Sequence, residues 1–195
     1  MLTAAFVLAA TWGTNAYAQQ PLTFGVKGGM NLSNFAGDID NNKAKVGFNV
    51  GLTVDYQLAS SVYLLTGLEY TTKGTEGDGF DASYNLGYLQ LPVHVAYKLP
   101  VSQSAVLVLH GGPYLAYALN GNYKEGIASI DLFHDFENVG VLYNRFDAGF
   151  GIGAGMEFGK FGVGLGVDYG LANINKEDGY SMKNFNSSLS VSYKF

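Results

Sequence analysis

Apolar and polar residues alternate along this chain with a period of two. Between 146 and 158, Phe146, Ala148, Phe150, Ile152, Ala154, Met156 and Phe158 share one parity, and Asp147, Gly149, Gly151, Gly153, Gly155 and Glu157 share the other. Successive side chains of a strand point to opposite faces, so this is a strand with one apolar and one glycine-rich face. The pattern restarts at Phe161, with Val163, Leu165, Val167 and Tyr169 set against Gly162, Gly164, Gly166 and Asp168. It recurs over 46–58 and 185–195, and more weakly over 23–32, 62–73, 86–99 and 105–119. Eight strands are predicted, with no apolar run long enough for a membrane helix after residue 18.

The connections alternate as well. Those at 33–44, 74–85, 120–145 and 171–184 are long and rich in Asp, Asn and Gly, whereas those at 58–61, 100–104 and 158–159 are short. An even number of antiparallel strands with short turns at one end and long loops at the other describes an eight-stranded, all-β, up-and-down transmembrane barrel with short periplasmic turns and long extracellular loops. Only closure lets strands satisfy their backbone hydrogen bonds in lipid.

Parity alone leaves a soluble barrel of the lipocalin type open, because it does not say which face points outward. Composition decides for the membrane. Charged residues are only 14% of the chain, against about 25–35% of an ordinary water-facing surface. The polar face is mostly Gly, Ser, Thr and Asn, and aromatics gather at strand ends (Tyr56, Tyr70, Tyr97, Tyr117, Phe158, Tyr169, Phe185, Tyr193), as interfacial girdles do. Met1–Ala16 is apolar, and Ala16-Tyr17-Ala18 before Gln19 fits a signal-peptidase site, so 1–18 is expected to be a signal peptide and 19–195 the barrel. The basic start of such a peptide is missing, which leaves Met1 doubtful as the true start. There is no cysteine, and a net charge of −5 without a basic patch argues against nucleic acid.

Six segments in order, "FGVKGGMNLSNF" (24–35), "GLEYTTKG" (67–74) with "YLQLPVHVAYKL" (88–99), "GGPYLAYAL" (111–119), "DAGFGIGAGMEF" (147–158) and "SLSVSYKF" (188–195), resemble the PorT-type outer-membrane beta-barrel family of Bacteroidetes. The resemblance implies the cell outer membrane and little about activity. One namesake is linked to protease secretion, and nothing in these residues licenses carrying that role over to this chain.

Candidate chemistry is sparse. "GFGIGAG" lies inside a strand with no helix after it, so it is not a dinucleotide loop. Asp38-Ile39-Asp40 has alternate carboxylates but lacks the turn glycine and bidentate Glu of a calcium loop. Leu132, Phe133, Phe136 and Val139 fall at roughly helical spacing, as in an amphipathic piece at the membrane surface, a contact site for a partner, or ordinary loop packing. A lipid-modifying enzyme would need a base at the rim, but His94 and His110 have inward parity and His134 has no Ser nearby in sequence. No enzyme, cofactor or metal site is therefore expected. An eight-stranded barrel is also too narrow for a porin. The expected role is structural or binding, with outer-membrane lipid around the barrel and a protein or surface ligand at 33–44, 74–85, 120–145 or 171–184. A lipid-modifying enzyme and a component assisting protein secretion are the alternatives.

The lumen is expected to be plugged. Inward parity collects a polar network of Lys27, Asp55, Glu69, His94, His110, Glu157 and Asp168, with Lys45, Lys73, Lys98, Arg145, Asp147 and Lys194 on the same face. Charges of both signs should pair across it, because unpaired burial is costly. A turn centred on Ser102 would set His94 opposite His110. A Phe158-Gly159 turn would pair Glu157 with Lys160, Gly155 with Gly162, Gly153 with Gly164 and Gly151 with Gly166. The result would be a glycine wall that makes room for Tyr63, Leu65, Tyr88, His94, His110 and Tyr114.

Overall fold

The computed structural model describes residues 22–38, 42–78, 82–133, 143–176 and 179–195. The expected signal peptide, His134, Phe136 and Val139 lie outside them.

The strands are β1 (Leu22–Gly37), β2 (Asn42–Gln57), β3 (Val62–Gly77), β4 (Ala82–Pro100), β5 (Ala105–Glu125), β6 (Ala128–Asp131), β7 (Phe146–Phe158), β8 (Phe161–Gly170) and β9 (Met182–Lys194). All pairings are antiparallel. They run β4-β3-β2-β1-β9-β8-β7-β5, and β4 also pairs with β5, so eight strands close into a barrel. The four-residue β6 stands outside that ring, hairpinned onto the end of β5.

The side-chain parity is the one the alternation predicts. Met30, Leu32, Phe48, Val50, Leu52, Ile152, Val163, Leu165, Leu189 and Val191 are exposed on the outer face. Asn31, Asn49, Asp55, Glu69, Lys73, Gln90 and Asp147 are buried within. On β9 the outward residues run from Phe185 to Tyr193. That is about 27 Å of strand, or about 21 Å along the normal at a tilt of about 40°, close to the apolar band of a membrane barrel.

Two features depart from the sequence reading. First, the segments 33–44 and 74–85 are mostly ladder. β1–β2 pairing continues to Ser33↔Lys45 and β3–β4 pairing to Glu76↔Ser83, so the connections shrink to a few residues around 38–41 and 78–81. β5 likewise runs to Glu125. Above the lipid a strand can be polar on both faces, so its alternation fades while its hydrogen bonds remain. β1–β5 therefore rise past the apolar belt as a wall, whereas β8 ends at Gly170.

Second, both hairpin registers differ by two from those expected. β7 and β8 join through Gly159-Lys160, with Phe158↔Phe161, Glu157↔Gly162, Gly155↔Gly164, Gly153↔Gly166 and Gly151↔Asp168. Gly159 takes the first turn position with φ +59°, a conformation that favours glycine. In the β4–β5 hairpin Pro100↔Val106 and Ala96↔His110 are partners, so His94 is not directly opposite His110. A shift of two keeps every residue on its face, so parity could not exclude it.

Candidate functional site

The lumen is layered. At the end with the short turns, Lys98 and Lys194 meet Asp55 and Glu157. Lys98 Nζ lies 2.6 Å from Asp55 Oδ2 and 3.0 Å from Glu157 Oε1, and Lys194 Nζ lies 2.5 Å from each. Lys98 also sits 4.4 Å over the Tyr63 ring. In ring order each of these strands is two places from its ion partner, so the cluster crosses the lumen rather than running along a ladder.

Midway, Lys27 pairs with Glu69. Gln90 Nε2 donates to Glu69 Oε1 at 3.1 Å and to Asp168 Oδ2 at 3.0 Å. His94 Nδ1 and His110 Nδ1 are 2.9 Å apart with stacked rings, so one imidazole donates and the other accepts. The two reach one another on the diagonal of the ladder, because His110 is directly beside Ala96.

Higher still, Lys73 and Asp147 are paired at 3.2 Å with neither side chain exposed. Asp147 Oδ2 also accepts from Tyr114 Oη at 3.2 Å and Asn184 Nδ2 at 2.9 Å. Asn184 Nδ2 donates to Tyr88 Oη at 3.2 Å as well, and the Lys73 ammonium lies 4.4 Å over the Tyr114 ring.

The mouth is apolar. Leu132 and Phe133 turn inward and pack with Phe35, Leu86, Ile174 and Met182. The Arg145 guanidinium lies 4.2 Å over the Phe133 ring and donates to Ala118 O at 3.0 Å. Leu132 and Phe133 thus pack into the mouth of the barrel, while the rest of that apolar spacing, Phe136 and Val139, lies outside the described residues. Asp38 Oδ2 accepts from Ser181 N at 2.9 Å, which ties two outer connections together.

Every residue of the expected polar network faces this lumen, in two layers: Asp55 with Glu157, and Lys27, Glu69, His94, His110 and Asp168 above them. Lys45 pairs with Glu76 at the mouth, and among the described residues Arg145 binds backbone carbonyls rather than a carboxylate. Gln90, Asn31, Asn49, Thr71 and Asn184 belong to the same network and were not anticipated. Asn31 Nδ2, for example, donates to Thr71 Oγ1 at 2.8 Å. Their inward parity was the available signal, since it matches that of their charged neighbours.

The glycine wall does two things. A Cβ on Gly153 would sit 2.5 Å from His110 Cε1, so this glycine admits the bulk of adjacent β5, and one on Gly149 would meet both the Tyr114 ring at 2.7 Å and, nearer still, the Tyr169 carbonyl of β8. Gly155, Gly164 and Gly166 instead border a chamber of about 200 Å³, lined also by Asn31, Asn49, Ser188 and Ser190. A Cβ on Gly164 would meet nothing nearer than 3.7 Å. Among the described residues no cluster of three or more His, Asp or Glu side chains is placed to hold a metal ion.

A family model described as "Outer membrane protein beta-barrel domain" matches residues 17–176. No curated protein matches the chain in sequence. Among solved structures, Neisserial surface protein A is similar with a TM-score of 0.53 at 13% identity, over 88% of this chain and 97% of that one. The outer membrane enzyme PagL is similar with a TM-score of 0.53 at 14% identity, over 87% and 98%. Ail, the attachment invasion locus protein of Yersinia pestis, has a TM-score of 0.48 at 16% identity, over 89% and 98%. At these identities the likeness to Neisserial surface protein A and PagL is one of fold. The family match carries further: the chain belongs to the outer membrane protein beta-barrel domain family, and its place is the outer membrane.

Proposed function

We propose that the protein is a non-conducting scaffold of the outer membrane that binds a protein or surface ligand at its extracellular end. The observation that carries this reading is the closed lumen. Ion pairs and hydrogen bonds cross it in three layers, and Leu132, Phe133, Ile174 and Met182 fill its mouth. Such a barrel offers its environment an outer surface and no passage. That surface is a rigid one, because β1–β5 continue beyond the apolar belt as paired strands and carry the β5–β6 hairpin. A rigid scaffold displaying variable connections is a common arrangement for recognition.

The proposal is non-enzymatic. His94 and His110 face each other inside the lumen, where a lipid held outside would not meet them. Within the family, the resemblance of the six ordered strand motifs to the PorT-type barrels of Bacteroidetes supports that narrower grouping. Refolded protein in planar bilayers tests the central point. Membranes should show no steady unitary current from the wild-type barrel, and a reproducible open level would overturn the reading.

A further inference from the structure

The middle layer of the lumen holds one carboxylate that no ammonium serves. Lys27 takes Glu69, and Lys98 with Lys194 take Asp55 and Glu157 below it. Half-buried Asp168 of β8 accepts from Gln90 Nε2 at 3.0 Å, and no Lys or Arg among the described residues forms an ion pair with it.

An imidazole faces it instead. A Cβ on Gly151 would collide with Asp168 Oδ1 and lie 3.0 Å from both Cε1 and Nε2 of His94. Carboxylate and ring edge therefore converge over a residue that has no side chain. His94 Nε2 is buried and has no hydrogen-bond partner among the described residues. Its other nitrogen, Nδ1, lies 2.9 Å from His110 Nδ1. His110 is half-buried and lines the chamber, with its Nε2 against bare Gly153. A carboxylate and two imidazoles thus stand in series on β8, β4 and β5. The charged groups that act on the two rings are Lys27 of β1, Asp55 of β2, Glu69 of β3 and Asp168 of β8. Gly151 and Gly153 of β7 and Asn186 and Ser188 of β9 add none.

A neutral imidazole has one N–H and one bare nitrogen. The contact between the two Nδ1 atoms needs one of each, so one ring carries its proton at Nδ1 and the other at Nε2. If His94 were the Nδ1 donor, its bare Nε2 would turn a lone pair toward Asp168. If His110 is the donor, His94 Nε2 carries a proton and directs it at the carboxylate. Electrostatics selects this second arrangement. The bare nitrogen of the pair is then His110 Nε2, on the chamber side.

That nitrogen is the one place for an added proton. A proton bound there makes His110 cationic. The proton on His110 Nδ1 can then pass to His94 Nδ1, one N–H bond breaking as the other forms, which leaves the positive charge on His94 beside Asp168. With Lys27 and Glu69 paired, the layer goes from one net negative charge to none, and the bond between the rings survives. A second added proton would set two N–H groups head to head and part the rings, so the pair titrates as a unit.

We propose that Asp168, His94 and His110 form an acid-operated proton relay, which takes one proton from the chamber and breaks the His94–His110 bond only when a second arrives.

Nitrogen NMR of the refolded barrel with 15N-labelled imidazoles tests this. The background is His134→Asn, which leaves only the two lumenal histidines, and His94→Gln then assigns the signals. At pH 8, where ordinary imidazole is neutral, His94 should be in the Nε2–H form and His110 in the Nδ1–H form. A scalar coupling should join the two Nδ1 nuclei across their bond. On acidification that coupling should survive the uptake of the first proton. Asp168→Ala should scramble the tautomers, so that each ring shows both forms. His94 in the Nδ1–H form at pH 8 would overturn the proposal, as would loss of the coupling with the first proton. Unchanged tautomer order in Asp168→Ala would overturn it too; should that variant not refold, the first two measurements decide alone.

Discussion

Replacing Lys73 with methionine isolates the energetics of the upper lumenal layer. The substitution keeps an unbranched apolar side chain and removes the ammonium, which leaves Asp147 buried with only neutral donors. At the observed 3.2 Å, Coulomb's law with an effective dielectric of about 20 gives an attraction of about 5 kcal/mol. Losing the cation over Tyr114 adds up to about 2 kcal/mol. Removal of the ammonium's own desolvation cost offsets part of both, so the expected loss is about 3–5 kcal/mol, the range for breaking a buried pair. Asp147→Asn should cost a similar amount, because it strands Lys73 instead. The double variant should cost only about 1–2 kcal/mol: both charges are gone, while Tyr114 Oη and Asn184 Nδ2 can still donate to the amide oxygen. Reversible urea unfolding in vesicles, run as a double-mutant cycle, measures these values. A coupling below about 1 kcal/mol, with the two single losses simply adding, would refute the claim that the pair acts as a unit.

The glycine wall should be unequally sensitive. Gly153→Leu drives a side chain into His110 and should destabilise by about 1–3 kcal/mol, whereas Gly164→Leu enters the chamber and should cost under about 1 kcal/mol. Urea midpoints decide it, and equal losses at the two positions would contradict the division of the wall. Phe133→Ala should open the mouth without loosening the belt. Hydrogen exchange should speed up at the Leu132 and Ile174 amides, bonded to Gly121 O and Met182 O, and stay slow in β7 and β8. Exchange accelerated equally throughout would show that the cap is part of the barrel's global stability. Leu165→Val on the lipid face should change the urea midpoint by less than about 0.5 kcal/mol, since lipid tails refill the lost contact. A loss as large as that at Gly153 would reverse the assignment of faces.

What was legible in the sequence follows from one property of strands. Because side chains alternate, Ile152 and Leu165 could be assigned to lipid and Glu157 and Asp168 to the lumen without coordinates, and eight such segments with alternating connection lengths predict the closed barrel. Register was out of reach for the same reason. A shift of two leaves every face intact, so only the backbone of the turn decided that Glu157 sits beside Gly162 and that His110 sits beside Ala96. The outer parts of β1–β5 hid because water on both sides removes the selection for alternation, although the ladder persists through Ser33↔Lys45 and Glu76↔Ser83. Which lysine meets which carboxylate depends on closure. Lys73 and Asp147 lie on strands three places apart in the ring, and only the barrel's curvature brings an ammonium from one side to a carboxylate on the other. The same holds for Leu132 and Phe133: their apolar character is written in the chain, but the mouth they fill is made by Phe35, Leu86, Ile174 and Met182 from four other parts of it.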